Sequence, residues 1–336
     1  MLKLVKIKTL LLCLLGSGSV MAQNMISMTS VHPVADTASA SKQELAIRYP
    51  ALRQFQVVTH SYGYGDFDAK IDDRDFAKGK VKTFRTTSFF NTPAVQWGGN
   101  ALSATIFYTY TSIELKDNIN DLPQPQVTPL TTDKSTIDLA LNYSRSDYIF
   151  HHPVIYSLIV NFISDDLRSV RRFNFNGSFS LPLIRKKSTS LSVGALLLID
   201  PSAPAPVLPI INYYHRFAAS GLELMVDLPS GVNLKKQVVR HAWVSIGSNQ
   251  NSYSTFYNSQ EGLLNGKSSY NTVEARNGLL FEYLFARKII VGLGGGINTT
   301  FVSRVFRSGE DFNSASVISK NKSAPYANLS LSLLPF

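Results

Sequence analysis

Residues 271–306 read NTVEARNGLLFEYLFARKIIVGLGGGINTTFVSRVF, and their periodicity decides the fold. On the first arm Val273, Ala275, Leu279, Phe281, Tyr283 and Phe285 share one face, broken by Asn277. Thr272, Glu274, Arg276, Gly278 and Glu282 share the other. On the second arm Ile289, Val291, Leu293, Ile297 and Phe301 oppose Gly292, Gly294, Gly296 and Asn298. A period of two, apolar against polar or tiny, describes two strands joined by a tight turn at Arg287–Lys288. Each arm exceeds the ~5–6 residues usual in a globular sheet. Each is long enough for the ~9–11 residues of a tilted strand crossing a bilayer.

The same alternation recurs along the chain. Arg172–Leu181 sets Phe173, Phe175, Phe179 and Leu181 against Arg172, Asn174, Asn176, Ser178 and Ser180. Ala101–Leu115 and Thr136–Ser146 behave alike. Between them, Asp66–Lys78 reads as a charged loop, Lys116–Lys134 as the longest polar connection, and Arg307–Ser323 as another polar loop. The reading is an all-β, up-and-down antiparallel transmembrane barrel of about fourteen strands, with twelve or sixteen as alternatives, since bacterial barrels take even numbers. Residues 200–240 divide in two ways. Long connections are expected after strands one, three, eleven and thirteen, facing the cell exterior.

The first 22 of the 336 residues have the form of an export signal: Lys3, Lys6 and Lys8, an apolar centre at Leu10–Leu15, and a small-residue cleavage site ending at Ala22. Residues 23–48 read as a flexible periplasmic lead-in and 49–336 as the barrel. The single cysteine, Cys13, falls inside the signal, so the mature chain carries no disulfide and no thiolate metal site. Loss of the three signal lysines takes the formal charge from +10 to +7. Export argues against nucleic acid, and an anionic solute or lipopolysaccharide fits the basic balance. After the signal no 18-residue apolar window exists, so any membrane crossing requires a closed barrel.

A soluble sandwich also alternates. Three features favour the membrane: long strands, Tyr and Phe gathered near strand ends as in an interfacial girdle, and a chain that ends in Phe336 after Leu329, Leu331 and Leu333. A terminal aromatic on an alternating strand is the insertion signal read by the barrel-insertion machinery. The leucine face does not carry through to Phe336, because the parity slips at Leu334–Pro335.

Gln54–Phe55 running into Tyr62–Gly63–Tyr64, Val170–Ser178, Leu198–Pro204, Asp227–Ser230 with Leu234–Gln237, and the terminal Leu333–Phe336 resemble a family of uncharacterised outer-membrane β-barrel proteins from Bacteroidota. The resemblance covers about residues 48–336. It implies fold and outer-membrane location, and brings no activity with it.

Candidate sites are few. Arg172, Asn174, Asn176, Glu274, Arg276, Glu282 and Asn298 lie on the inferred lumen faces, where they tune solute choice or form a salt-bridged plug. Asp66, Asp68 and Asp72 crowd one loop, but the glycine and closing glutamate of a calcium loop are missing, so a solvated, self-paired loop is favoured. His151–His152 have no third ligand at metal spacing. No histidine has a serine two residues later, so the strand-face pair of a membrane hydrolase is not found. Gly292–Gly296 has no helix after it and is no phosphate cradle. No cofactor is indicated. The reading is a monomeric outer-membrane barrel, either a narrow channel or a passive structural barrel. The alternatives are a lipid-acting enzyme and a surface adhesin.

Overall fold

The computed structural model describes residues 42–335 except 72–73, 93, 121–129, 167, 201–204, 260–265 and 308–313; Phe336, Asp72 and the expected signal lie outside the described residues. Seventeen strand segments join in one antiparallel sheet, and three of them continue a neighbour, which leaves a closed ring of 14 strands. These are β1 (Phe55–Tyr62, continued by Gly65–Ile71), β2 (Arg74–Asn91, continued by Val95–Trp97), β3 (Asn100–Asn120), β4 (Leu130–Ile149), β5 (His152–Ser164), β6 (Arg172–Lys186) and β7 (Thr189–Ile199). They go on as β8 (Val207–Arg216), β9 (Leu222–Leu228), β10 (Gly231–Val239), β11 (Ala242–Ser259), β12 (Gly266–Phe285), β13 (Ile289–Arg307) and β14 (Val317–Asn321, continued by Ala324–Leu333). β1 closes the ring on β14, with Phe55 opposite Leu333 and Tyr62 opposite Tyr326. Closure leaves no sheet edge in the hydrocarbon, where an unpaired N–H or C=O would cost several kcal/mol.

The alternation read from sequence is realised as outside against inside. On β6, Phe173, Phe175 and Phe179 are 46%, 37% and 37% exposed, while Asn174, Asn176 and Ser180 are at most 1% exposed. On β13, Leu293, Ile297 and Phe301 face out and Asn298 is buried. The apolar belt lies outside and the polar side chains inside, the inverse of a soluble core. Short turns gather at one end. Ala286 and Arg287 take positive φ (48° and 64°), as do Phe150 and His151 (46° and 68°), the backbone that two-residue hairpins need to match strand twist.

Two expectations change. Asp66–Lys78 is not a loop: Gly65–Ile71 pairs with Arg74–Val81 as the outer tip of the β1–β2 hairpin. Alternating Asp and Lys gave no apolar face, but across the hairpin Lys78 lies 3.7 Å from Asp68 and Lys70 3.3 Å from Asp75, and charge pairing stands in for burial. Likewise Val317–Asn321, expected within a polar loop, pairs with that tip. The connection after strand one is therefore short.

The outer half of the β11–β12 hairpin turns inward. Lipid-facing alternation on β12 holds from Phe285 back to Asn277, but from Asn271 to Ala275 every residue is buried. β11 loses its β10 partner beyond Asn249 and reaches across the barrel. Thr136 Oγ1 on β4 donates to Ser254 O at 3.1 Å, Arg172 Nη2 on β6 donates to Ser269 Oγ at 3.1 Å, and Phe256 packs on Ile163 of β5.

A short helix α1 (Lys42–Arg48) precedes β1; residues 23–41 of the expected lead-in lie outside the described residues. Ala46 and Leu334 are fully buried against Ile290. That contact explains the slip at the C-terminus: Leu329 and Leu331 face lipid, whereas Leu334 points inward onto the helix.

Candidate functional site

The lumen is organised in two ionic layers with a cavity between them. At the end bearing the short turns, Glu282 of β12 accepts from Arg53 Nη2 at 2.6 Å and from Lys235 Nζ at 2.7 Å. Arg53 is fully buried, and Glu282 and Lys235 are 2% and 3% exposed. The two cations also serve the helix. Arg53 Nε donates to Ala46 O at 3.2 Å, and Lys235 Nζ to Ile47 O at 2.7 Å. These are carbonyls at a helix C-terminus, which have no partner within the helix and favour cations. Arg48 adds a 3.7 Å contact to Glu223 and lies over the Tyr214 ring at 4.1 Å. Residues 42–53 thus sit inside the barrel, pinned by charge to its wall.

The second layer lies four pleat repeats higher along β12. Glu274 accepts from Arg85 Nη1 through both oxygens, at 3.2 and 3.0 Å. The Arg85 guanidinium rests on the Tyr253 ring at 3.6 Å, a desolvated cation–π contact. Arg276 meets His60 Nε2 beside it. Eight residues of β12 separate Glu274 from Glu282, about 27 Å of strand at ~3.4 Å per residue. Between the layers lies a cavity of about 320 Å³.

Glycines make this space. A methyl on Gly294 would meet Asn328 Oδ1, and one on Gly278 would meet the Tyr326 hydroxyl and the Gly295 carbonyl. The glycine run of β13 lets the inward side chains of β14 lean across it, the close approach that glycine within a strand often marks.

The sequence-derived lumen candidates all lie inside but do not form one site. Glu282 belongs to the lower layer and Glu274 to the upper. Arg276 borders the cavity from above, and Asn298 lines a small space at the upper layer. Arg172, Asn174 and Asn176 lie on β6, away from the cavity, with Arg172 4.0 Å from Asp200. Arg53, Arg85, Lys235, Asp227 and Asn328 were missed. The signal was present for Arg85, the one cation on its face of β2, whose outer neighbour Phe84 is lipid-facing.

Elsewhere, Asp66 pairs with Lys322 at 2.8 Å. Hydrogen bonds from Lys322 hold the Asp66 carboxyl below the usual range, and those from Lys78 and Lys70 do the same for Asp75. His151 and His152 are exposed on their turn. One hydroxyl–imidazole pair spans two strands, where spacing along a single strand does not reveal it. Thr189 Oγ1 and His215 Nδ1 are 2.8 Å apart on adjacent strands, and the ring lies between Tyr213 and Phe217. Among the described residues no carboxylate orients that ring.

A closed antiparallel barrel with a lipid-facing apolar belt and a charged interior is a β-barrel of the outer-membrane class. No family model matches the chain, and no curated protein matches it significantly. Among solved structures it is similar to an outer-membrane channel from Pseudomonas putida F1 (11% identity, TM-score 0.36, covering 83% of this chain and 94% of that one). It is also similar to the P. putida toluene transporter TodX (9%, 0.34, 84% and 89%) and to the transport unit of the autotransporter AIDA-I from Escherichia coli (9%, 0.28, 96% and 99%). The likeness is one of barrel architecture and bears on nothing finer.

Proposed function

We propose that the protein is a monomeric outer-membrane channel, gated at its periplasmic mouth by its own N-terminal segment. The observation that carries this is the plug: a helix held inside the wall mainly through one carboxylate, Glu282, the shared counter-ion of both cations that bind the helix carbonyls. A passive structural barrel has no use for a separable stopper above which an internal cavity is kept open. The motifs that resemble the Bacteroidota barrels support the same membrane and leave the solute unassigned.

The test is planar-bilayer conductance of the refolded full chain and of Glu282→Gln. The wild type is expected to open rarely and the variant often, with larger steps. Silence from both, with heat-modifiable migration showing folded barrels, overturns the channel reading.

A lipid-acting enzyme has one observation in its favour, the Thr189–His215 pair on the lipid-facing rim. Hydrolysis of a fluorogenic phospholipid that is lost in Thr189→Val would establish it. Equal background in both would remove it.

A further inference from the structure

We propose that the periplasmic rim of the barrel is a docking surface for anionic phospholipids of the inner leaflet, held through their phosphodiester headgroups. The proposal rests on the barrel's place in the membrane and not on the channel reading. The short turns and both described ends of the chain gather at one mouth, which barrel topology makes the periplasmic one. Six exposed cations stand there on the hairpins β6–β7, β8–β9, β10–β11 and β12–β13: Lys186, Lys187, Arg216, Lys236, Arg240 and Arg287. None of them lies within 4.0 Å of a carboxylate among the described residues. Asp147, on the neighbouring β4–β5 hairpin, is already paired with Arg145 at 2.8 Å. Glu44 belongs to α1, and Glu223 and Glu282 face inward onto Arg48, Arg53 and Lys235. The opposite end of the barrel is built differently, since Lys322, Lys78 and Arg171 there pair with Asp66, Asp75 and Asp165.

These cations stand against hydrocarbon. Lys236 shares the lipid face of β10 with the exposed Val232 and Val238. It lies opposite Val244, which in turn lies opposite the lipid-facing Phe281. An ammonium there reaches the headgroup layer while its stem covers apolar surface. Lys186 lies opposite Thr189, and Thr189 opposite His215, whose Nδ1 is 2.8 Å from the hydroxyl. Ammonium, hydroxyl and imidazole thus form one row across β6, β7 and β8 on the lipid side, the donors that phosphate oxygens accept from. Exposed Phe217, Val239 and Phe285 accompany Arg216, Arg240 and Arg287, so each turn carries an apolar anchor beside its charge, as at a membrane–water interface.

Place and charge narrow the partner. An anionic solute entering the mouth is served by inward cations, and Arg48, Arg53 and Lys235 are all paired within the protein. An acidic protein capping the mouth would meet the turn tips and leave Lys186 and Lys236, on the outer face of the sheet, without a role. A zwitterionic lipid brings its own ammonium and gains little from a second. An anionic headgroup matches both the sign and the level, because its attraction for cations next to the membrane fades within a Debye length.

The experiment is electron spin resonance on the full chain refolded into vesicles, with spin-labelled phosphatidylglycerol and phosphatidylcholine as probes. The wild type is expected to hold phosphatidylglycerol about fivefold more tightly, the effect of one cation at an anionic surface. That preference should shrink as salt rises from about 0.05 to 0.5 M. Changing all six cations to Gln should abolish it, with heat-modifiable migration unchanged. Lys236→Gln with Arg240→Gln, a lighter change that leaves folding less at risk, should reduce it. Lys78→Gln with Lys322→Gln, at the opposite end, should leave it as it was. Equal retention of the two lipids by the wild type overturns the proposal. So does a preference that survives both rim variants, or one lost equally in the opposite-end variant. Release of the lipid by millimolar inorganic phosphate would make a free anion the ligand instead. Binding of a polyglutamate peptide at the rim, without lipid preference, would make the surface a protein-docking one.

Discussion

At the residue scale, Glu282 carries more than its share. A buried ion triad contributes little net stability against an apolar replacement, because desolvation offsets attraction. Removing its one anion is a different matter, since two buried cations are then left facing each other. Glu282→Gln is expected to destabilise the plug end by about 3–5 kcal/mol. Accelerated proteolysis near Lys42–Leu52, with barrel strands still protected, would show it; uniform destabilisation would argue against a separate plug. Gly278→Ala is a second residue-level case. The added methyl meets a backbone carbonyl across the β12–β13 pair as well as the Tyr326 hydroxyl, and backbone cannot swing aside as a side chain can. A cost of about 1–3 kcal/mol is expected, read as a lowered temperature of heat-modifiable unfolding.

Elements tell a different story, because a strand's face is legible and its destination is not. The faces of β12 and β13 follow from parity alone, down to Glu274, Arg276 and Glu282 pointing inward. Parity could not reveal that above Arg276 both faces of β12 are buried. That depends on where β10 stops and on side chains of β4, β5 and β6, far away in sequence. Leu280 and Leu284, on the inward parity, likewise carry no mark that separates a lumen wall from lipid. The Asp66–Lys78 tip failed for the opposite reason, since its charges hid a strand that no apolar period announced. Asp75 there sits below its usual range because Lys78 and Lys70 donate to it. A depressed acid stabilises above its unfolded pKa and loses that contribution as pH falls through the folded value. The tip should therefore keep its pairing through mild acid and loosen only below the ordinary carboxylate range. Carboxyl NMR titration reads this directly, and Lys78→Ala should bring the Asp75 midpoint back up. The inward fold of the β11–β12 arm is open to a direct test as well. With no cysteine after Cys13, Thr136→Cys with Ser254→Cys should cross-link efficiently through a short bis-maleimide in the folded barrel and not in urea. Failure in the folded state would place the arm elsewhere.

For the whole molecule, fourteen strands enclose less than the 16–18 of an open porin. Here the remaining bore is divided by two layers of paired charge into one compartment. The strand count, closure and polarity of the interior followed from periodicity and length. The compartment did not, because it is made by partners such as Arg53 and Glu282, which lie 229 positions apart, and by an N-terminal helix whose apolar residues are too few to show a period.

That helix has a consequence in time. Apart from the adjacent Arg53, the contacts that hold it in place come from Tyr214, Glu223, Lys235, Ile290 and Leu334, all in the last two-fifths of the chain. The earliest described part of the polypeptide to leave the ribosome thus finds its berth only once the final strand has arrived. Closing the wall and corking it are one event, and a half-assembled barrel is, of necessity, an unstoppered one.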